Sequence, residues 1–389
     1  MPVLPGSTIG LIGGGQLGRM LALEARRMDF RTVVLDPDPA APAGQVADEQ
    51  IVAEMDDLDG VRRLAEASDV VTLEWENADV GTVRALAEMV PVHPGPDVLA
   101  VAQNRVREKE TARRLGLDTA PFRLVRTLDE LEDALVETGY PAVLKTVTGG
   151  YDAKGQRVIE KRDSIRPAFR ALGGGGQPLI LEGWVDFALE VSVICARGLD
   201  GSLVNFPVSE NIHRDGILDF TVVPARITME VADRAVMTAR RMTEGLDVVG
   251  VLTVEMFVDR TGRVLVNEIA PRPHNSGHYS WEACTCSQFE QQLRAVCGLP
   301  LHPPRLLRPA AMANLLGHEV GSGRSLGAVA HALGIPDTAL HLYGKAEPRP
   351  GRKMGHLTAL AETPELALER ATAARDALVE GWLRLTDPV

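Results

Sequence analysis

Lysine is scarce in this chain: Lys109, Lys145, Lys154, Lys161, Lys345 and Lys353 are the only six in 389 residues. Acids outnumber bases, with Lys+Arg 41 against Asp+Glu 53 and a formal net charge of −12. A general nucleic-acid binder needs a basic face, so that class is excluded. A phosphorylated small molecule can still be held by a few well-placed cations. Cysteine is scarce too. Cys195, Cys284, Cys286 and Cys297 make no disulfide framework in a chain this long, and Cys284-Thr-Cys286 lacks a second Cys/His pair for zinc. Buried, reduced thiols in a cytoplasmic protein are expected. No apolar run reaches the roughly 18 residues of a membrane span, and MPVLPGSTIG has no basic stretch followed by an apolar one. The phosphate loop GxxxxGK[ST] is also missing.

With 45% hydrophobic and 24% charged residues, the sequence is globular material with room for two or three cores. Ser7–Leu11 is expected to be a strand, Gly13–Gly18 a tight turn, Leu17–Met28 a helix and Arg31–Asp36 a second strand. This unit matches GxGxxG with an acid about 20 positions on, a dinucleotide fingerprint that other phosphate-binding α/β domains also use. The strand Val70–Trp75 puts Glu74 and Glu76 at its C-terminal end. Open α/β sheets bind ligands there, although a plain exposed strand end reads the same way.

After the break at His93-Pro94-Gly95-Pro96, one helix is expected over Val98–Leu115, carrying Arg105 and Lys109. A second unit follows, with strands Pro121–Val125, Tyr140–Thr146, Arg157–Glu160, Leu179–Val185 and Glu190–Ala196. The strand Tyr140–Thr146 displays Lys145, either as a phosphate ligand or as a snorkelling surface residue. Gly149–Gln156 is expected to form a mobile Gly-rich loop whose backbone N–H groups can approach phosphate oxygens, with Lys154 adding charge. Glu182-Gly183-Trp184-Val185 enters a turn whose backbone suits an adenine edge, with Glu190 placed to accept from ribose hydroxyls. His213 reads most simply as a structural loop histidine. HPPRLLRP after Pro300 suggests a boundary. Beyond it lie two short strands, Leu340–Tyr343 and Met354–Leu360, and a final helix, Pro364–Trp382.

Val251–His278 holds the densest chemistry. Two β-branched runs, Val251–Val258 and Arg263–Ile269, flank Asp259-Arg260-Thr261-Gly262 as a hairpin. With Val258 facing Arg263, Glu255 lies opposite Val266 and Thr253 opposite Glu268. Glu255 and Glu268 are then diagonal neighbours, roughly 7–8 Å apart at Cα. Two converging carboxylates with the neutral oxygen of Asn267 suit a hard divalent cation; acids facing water are the plainer reading. Val254 and Met256 are expected to point to the core. The cluster Arg272, His274, Asn275 and His278 follows at once.

In order, the pieces are a strand lysine, a Gly-rich loop, an acid–x–x–Val hinge and a Glu…Asn-Glu hairpin. That order resembles the ATP-grasp superfamily. Within it, GGGQLGRM, GGYDAKGQ, EGW, ENIHRDGIL, NEIAPRPHNSGH and YGK…RPGRKMGH are similar to stretches of the purine-biosynthetic carboxylases that act on aminoimidazole ribonucleotide. One residue departs: Ala153 stands where the loop usually has glycine, adding a methyl and disfavouring positive φ.

The resemblance implies mixed α/β and α+β architecture. A Rossmann-like (pre-ATP-grasp) domain would span 1–104, an ATP-grasp domain 105–300 with a lid at about 120–185, and a small C-terminal β-containing domain 301–389. It implies that Arg105, Lys145, Gly150, Tyr151, Asp152, Ala153, Lys154, Gly155, Gln156, Glu182, Gly183, Trp184, Val185, Glu190, His213, Asn267 and Glu268 contact ATP. Glu255 and Glu268 would hold Mg²⁺. Tyr151, Arg272, His274 and Asn275 would surround carboxyphosphate, and Gln16, Glu76, Lys345 and Arg352 the ribonucleotide. Bicarbonate, ATP and aminoimidazole ribonucleotide are the implied substrates, and a homodimer the implied assembly. Carboxyphosphate is labile in water, so closure of the Gly-rich loop is expected. The alternatives are a formate-using ATP-grasp enzyme of the same pathway, an NAD-dependent oxidoreductase resting on Gly13–Gly18 and Asp36, and a non-catalytic nucleotide-binding protein. The last would be expected to have lost Lys145, Glu255 or Glu268.

Overall fold

The computed structural model describes residues 2–150, 155–320 and 326–386. Among these, the strands form three sheets. The first is parallel and five-stranded, in the order Glu49–Ile51, Arg31–Leu35, Thr8–Ile12, Val70–Leu73, Val92–His93. Its short runs TIGLI, RTVVL and VVTL are almost wholly buried, as strands covered by helices on both faces must be. Strand order reverses between Thr8–Ile12 and Val70–Leu73, which opens a crevice at their C-terminal ends.

The second sheet is antiparallel, in the order Phe122–Val125, Leu179–Gly183, Ala142–Thr146, Gln156–Ile159. The helices Leu128–Thr138 and Ile165–Ala171 cover one face. The third is a nine-stranded antiparallel sheet running from Val264–Ala270 through Gly250–Asp259, Phe187–Arg197, Ser209–Arg214, Ile217–Val223, Ala310–Leu316 and Lys353–Leu360 to Thr338–Leu342, with the short Leu203–Asn205 paired to Phe187–Arg197 off this path. The C-terminal strands thus extend this central sheet instead of forming one of their own. Caps set the helix starts: the side chains of Asp57, Asp79, Thr127, Thr228 and Ser287 each accept a first-turn N–H.

The structure corrects several expectations. The helix expected over Val98–Leu115 is two helices, Pro96–Ala102 and Arg105–Arg114. Asn104 sits between them in extended geometry, and its side-chain oxygen accepts from the N–H groups of Val106 and Arg107. An Asn offering a ready N-cap outcompetes helix continuation. His213 lies on the strand Ser209–Arg214, not in a loop. The hairpin register also differs. Val258 pairs with Val264, and a bulge at Asn267 brings Glu255 directly opposite Glu268. Thr253 is fully buried, because the sheet is covered on both faces.

Candidate active site

The three sheets meet around a cleft of about 1200 Å³. Gln16, Glu76, Arg105, Lys145, Gly150, Gln156, Glu182, Gly183, Trp184, Val185, Glu190, His213, Glu255, Asn267, Glu268, Arg272, His274, Asn275, Lys345 and Arg352 all line it. Gly155 is off the wall, its carbonyl accepting from the Thr146 N–H. Tyr151, Asp152, Ala153 and Lys154 lie outside the described residues.

On one side, Lys145 emerges from the strand Ala142–Thr146, and its Nζ donates to Glu182 Oε2 at 2.8 Å. Lys145 is buried, not snorkelling. Lys109 Nζ lies 3.5 Å from the other carboxylate oxygen. Burial opposes charge on Glu182, but the two ammonium groups hold its carboxyl down at about 2. Arg105 is the first residue of its helix, where the Asn104 cap fixes its direction. Its guanidinium lies 3.1 Å from Glu268 Oε2 and donates to the Gly150 carbonyl.

At the hairpin, Glu255 Oε1 lies 3.1 Å from His274 Nε2. Burial works against its charge, yet His274 and other nearby cations keep the carboxyl well below its ordinary range. The two acids are therefore each partnered, Glu255 by His274 and Glu268 by Arg105. Asn267 Oδ1 is buried with no hydrogen-bond partner, beside Glu268 and across from Glu255. Two hard carboxylates and an orphaned amide oxygen fit a magnesium ion, which typically takes one or two carboxylates and completes its shell with phosphates and water. His213 Nδ1 lies 3.2 Å from Glu190 Oε1. Burial pulls that imidazole's pKa down, but Glu190 outweighs it and the net shift is upward.

On the opposite side, Lys345 Nζ donates to Gln16 Oε1 at 2.7 Å and to the Lys353 carbonyl at 2.8 Å. Burial, aided by Arg352, pushes Lys345 down to about 8. Arg272 grips Glu76 with a two-pronged guanidinium contact, one prong 2.6 Å long.

The glycine turn is already filled. The Gly14 N–H donates to Asp36 at 2.7 Å, and the N–H groups of Gly15 and Gly18 donate to Glu74 at 2.9 and 3.1 Å. Burial raises the Glu74 pKa against those donations. These are the donors a dinucleotide pyrophosphate would need, and two carboxylates occupy them. The oxidoreductase reading fails on this geometry. Glu74 thereby closes the glycine turn from the wall of the cleft.

Some of the cleft was missed in the sequence. Glu108, pushed by burial up to about 8, accepts from the Ile269 N–H. Phe187 and Phe257 stack with centroids 4.7 Å apart, and strand alternation places Phe257 with Glu255. Arg349 and Lys353 also line the cleft, and both sit within or beside the RPGRKMGH stretch.

Fold and site define an ATP-dependent ligase of the ATP-grasp class. The ATP-grasp domain matches residues 110–289, the ribonucleotide synthetase preATP-grasp domain 6–103, and the phosphoribosylaminoimidazole carboxylase C-terminal domain 310–370. The N5-carboxyaminoimidazole ribonucleotide synthase of Bacillus subtilis is 43% identical over 95% of this chain and 96% of its own. A solved N5-carboxyaminoimidazole ribonucleotide synthetase in its ADP complex superposes with a TM-score of 0.91 at 44% identity, covering 99% of both chains. The Aspergillus clavatus enzyme, solved with ADP and 5-aminoimidazole ribonucleotide, gives a TM-score of 0.88 at 34% identity over 96% of this chain and 98% of its own. The chain belongs to the N5-carboxyaminoimidazole ribonucleotide synthase family.

Proposed function

We propose that this cleft carries the ATP-dependent carboxylation of 5-aminoimidazole ribonucleotide by bicarbonate. A bicarbonate oxygen forms a bond to the γ-phosphorus of ATP as the bridging oxygen leaves on ADP, giving carboxyphosphate. The 5-amino nitrogen then bonds to the carboxyl carbon as the C–O bond to phosphate breaks. The nitrogen sheds one proton, leaving the carbamate. The observation that carries the reading is the single cleft in which nucleotide-type cations, paired hairpin carboxylates and phosphate-type cations face one another.

Lys145, Arg105 and the Gly150–Gln156 loop bind the phosphates of ATP, Glu182–Val185 the base, and Glu190 and His213 the ribose side. Lys145 is released from Glu182 towards the nucleotide when ATP enters. Glu255, Glu268 and Asn267 hold magnesium, which supplies charge neutralisation for phosphoryl transfer. Arg272, His274 and Asn275, with Tyr151, surround the carboxyl donor. Gln16, Glu76, Lys345 and Arg352 bind the ribonucleotide, the two cations taking its 5′-phosphate. The assembly is a homodimer and the compartment the cytoplasm; light scattering tests the first. Among the described residues no helix is long and apolar enough to cross a membrane.

The test is ADP release from Mg·ATP with bicarbonate and aminoimidazole ribonucleotide omitted in turn. Turnover is expected only with bicarbonate present and to rise with the ribonucleotide. Release supported equally by formate would overturn the reading in favour of the formate-using relative.

A further inference from the structure

His274 carries its ring to Glu255, and within its own segment its carbonyl accepts from the Gly277 N–H at 3.0 Å while its N–H finds no local partner. A buried glutamine from another element supplies one. The helix Gln288–Val296 begins with Gln288, a residue with no exposed surface. Its Oε1 accepts from the His274 N–H at 2.8 Å, and its Nε2 donates to the His274 carbonyl at 2.7 Å. One side-chain amide thus satisfies both backbone groups of one residue, as a paired strand would. The Gln288 backbone is held in turn: its N–H donates to Ser280 Oγ, which donates to the Gly277 carbonyl. A Cβ on Gly277 would sit 2.3 Å from Ile194 Cδ1 and 2.5 Å from Gln288 Oε1, so the loop approaches the amide this closely because residue 277 is glycine. The ring is steered from the other side, with Nδ1 accepting from the Ser276 N–H and lying 2.8 Å from Ser276 Oγ.

We propose that Gln288 is a positioning residue for carboxyl transfer, acting through His274 by clamping its backbone so that the imidazole faces both Glu255 and the reacting groups. The proposal rests on the reading of His274 given above. Gln288 itself is fully buried and does not line the cleft. A displacement of about 1 Å at a reacting group costs on the order of 100-fold in rate, and a lost clamp acts in this way.

The test is a double-mutant cycle in the full-length protein, with Gln288→Met and His274→Ala made singly and together. The readouts are kcat, the KM for ATP, and ribonucleotide consumed per ADP released. Gln288→Met keeps the volume and removes both hydrogen bonds to His274, together with the 3.2 Å contact of Nε2 with His278 Nδ1. It is expected to lower kcat about 10- to 100-fold and reduce coupling, with the KM for ATP within about twofold of the parent. In the His274→Ala background the same change should cost less than about threefold, because the group it positions is gone. Multiplying effects would overturn the proposal while leaving His274 in place. A silent His274→Ala would instead remove the assignment of His274, and the proposal with it. If Gln288→Met does not fold, Gln288→Asn serves in the same cycle, since the shorter amide cannot reach both backbone groups.

Discussion

Replacing Lys145 by methionine removes the closer of two cations from a carboxylate that is almost wholly buried. Glu182 is 3% exposed, and Lys109, at 3.5 Å, remains as its partner. The gap between the ordinary carboxyl value of 4.5 and about 2 in the fold amounts to about 3 kcal/mol, the net of the burial penalty against the pull of Lys109, Lys145 and Arg105. Breaking a buried pair by removing one member costs about 3–5 kcal/mol when nothing replaces it. With Lys109 left, about 2–3 kcal/mol is expected. The sign in pH follows from the depressed carboxyl. The pair's stabilisation is complete above the ordinary value of 4.5 and fades as pH falls towards 2, so the deficit of the variant narrows in acid. Amide hydrogen exchange in the strands Ala142–Thr146 and Leu179–Gly183 reads the local opening directly. At pH 7 exchange there should quicken roughly 30- to 150-fold, and Glu182→Gln should remove most of the difference. Exchange within about threefold of the parent would refute the buried-pair account. ATP turnover falls in the same variant for a separate reason, the loss of a phosphate contact.

Lys345→Met should raise the KM for the ribonucleotide more than that for ATP, by an amount reflecting about 1.5–3 kcal/mol for a charge-assisted hydrogen bond. Because burial holds Lys345 near 8, the parent's KM for the ribonucleotide should climb above that pH as the ammonium discharges, and the variant's should not. Glu255→Gln and Glu268→Gln should each shift ATP turnover to higher magnesium, checked by titration; parent-like curves in both would remove the metal assignment. Melting should separate them: Glu268 is 42% exposed and its pair with Arg105 contributes at most about 1 kcal/mol, whereas Glu255 loses a buried partner. Thr253→Val should leave the melting temperature equal or higher, since Thr253 Oγ1 is buried without a partner. Met256→Asp should unfold the domain, because Met256 is 1% exposed within the core.

Much of this architecture was legible because local chemistry agreed with the global fold. The runs TIGLI and RTVVL admit little but buried strands, and the acids of VLTVEMFVD alternate with core residues as a hairpin requires. What stayed hidden was non-local. The bulge at Asn267 depends on how two strands settle against their neighbours, and no turn rule supplies it. Ala310–Leu316 is a central strand made of alanines, methionine, asparagine and leucines, where packing overrides a weak β-preference. Lys145 looked like a residue with little packing role, because Glu182 comes 37 positions later. That Glu74 closes the glycine turn stayed hidden too, because a strand-end acid gives no sign of which N–H groups it will accept from.

The central sheet also has a consequence for synthesis. Ile217–Val223 has its partners Ser209–Arg214 on one side and Ala310–Leu316 on the other. The second partner emerges from the ribosome only after about 90 further residues, roughly 5–20 s at ordinary elongation rates. Throughout that interval an apolar strand in the middle of the finished sheet is an open edge, able to template pairing with another nascent chain. The protein's most exposed moment falls before its C-terminal strands exist, and translational pausing between residues 223 and 310 would lengthen it.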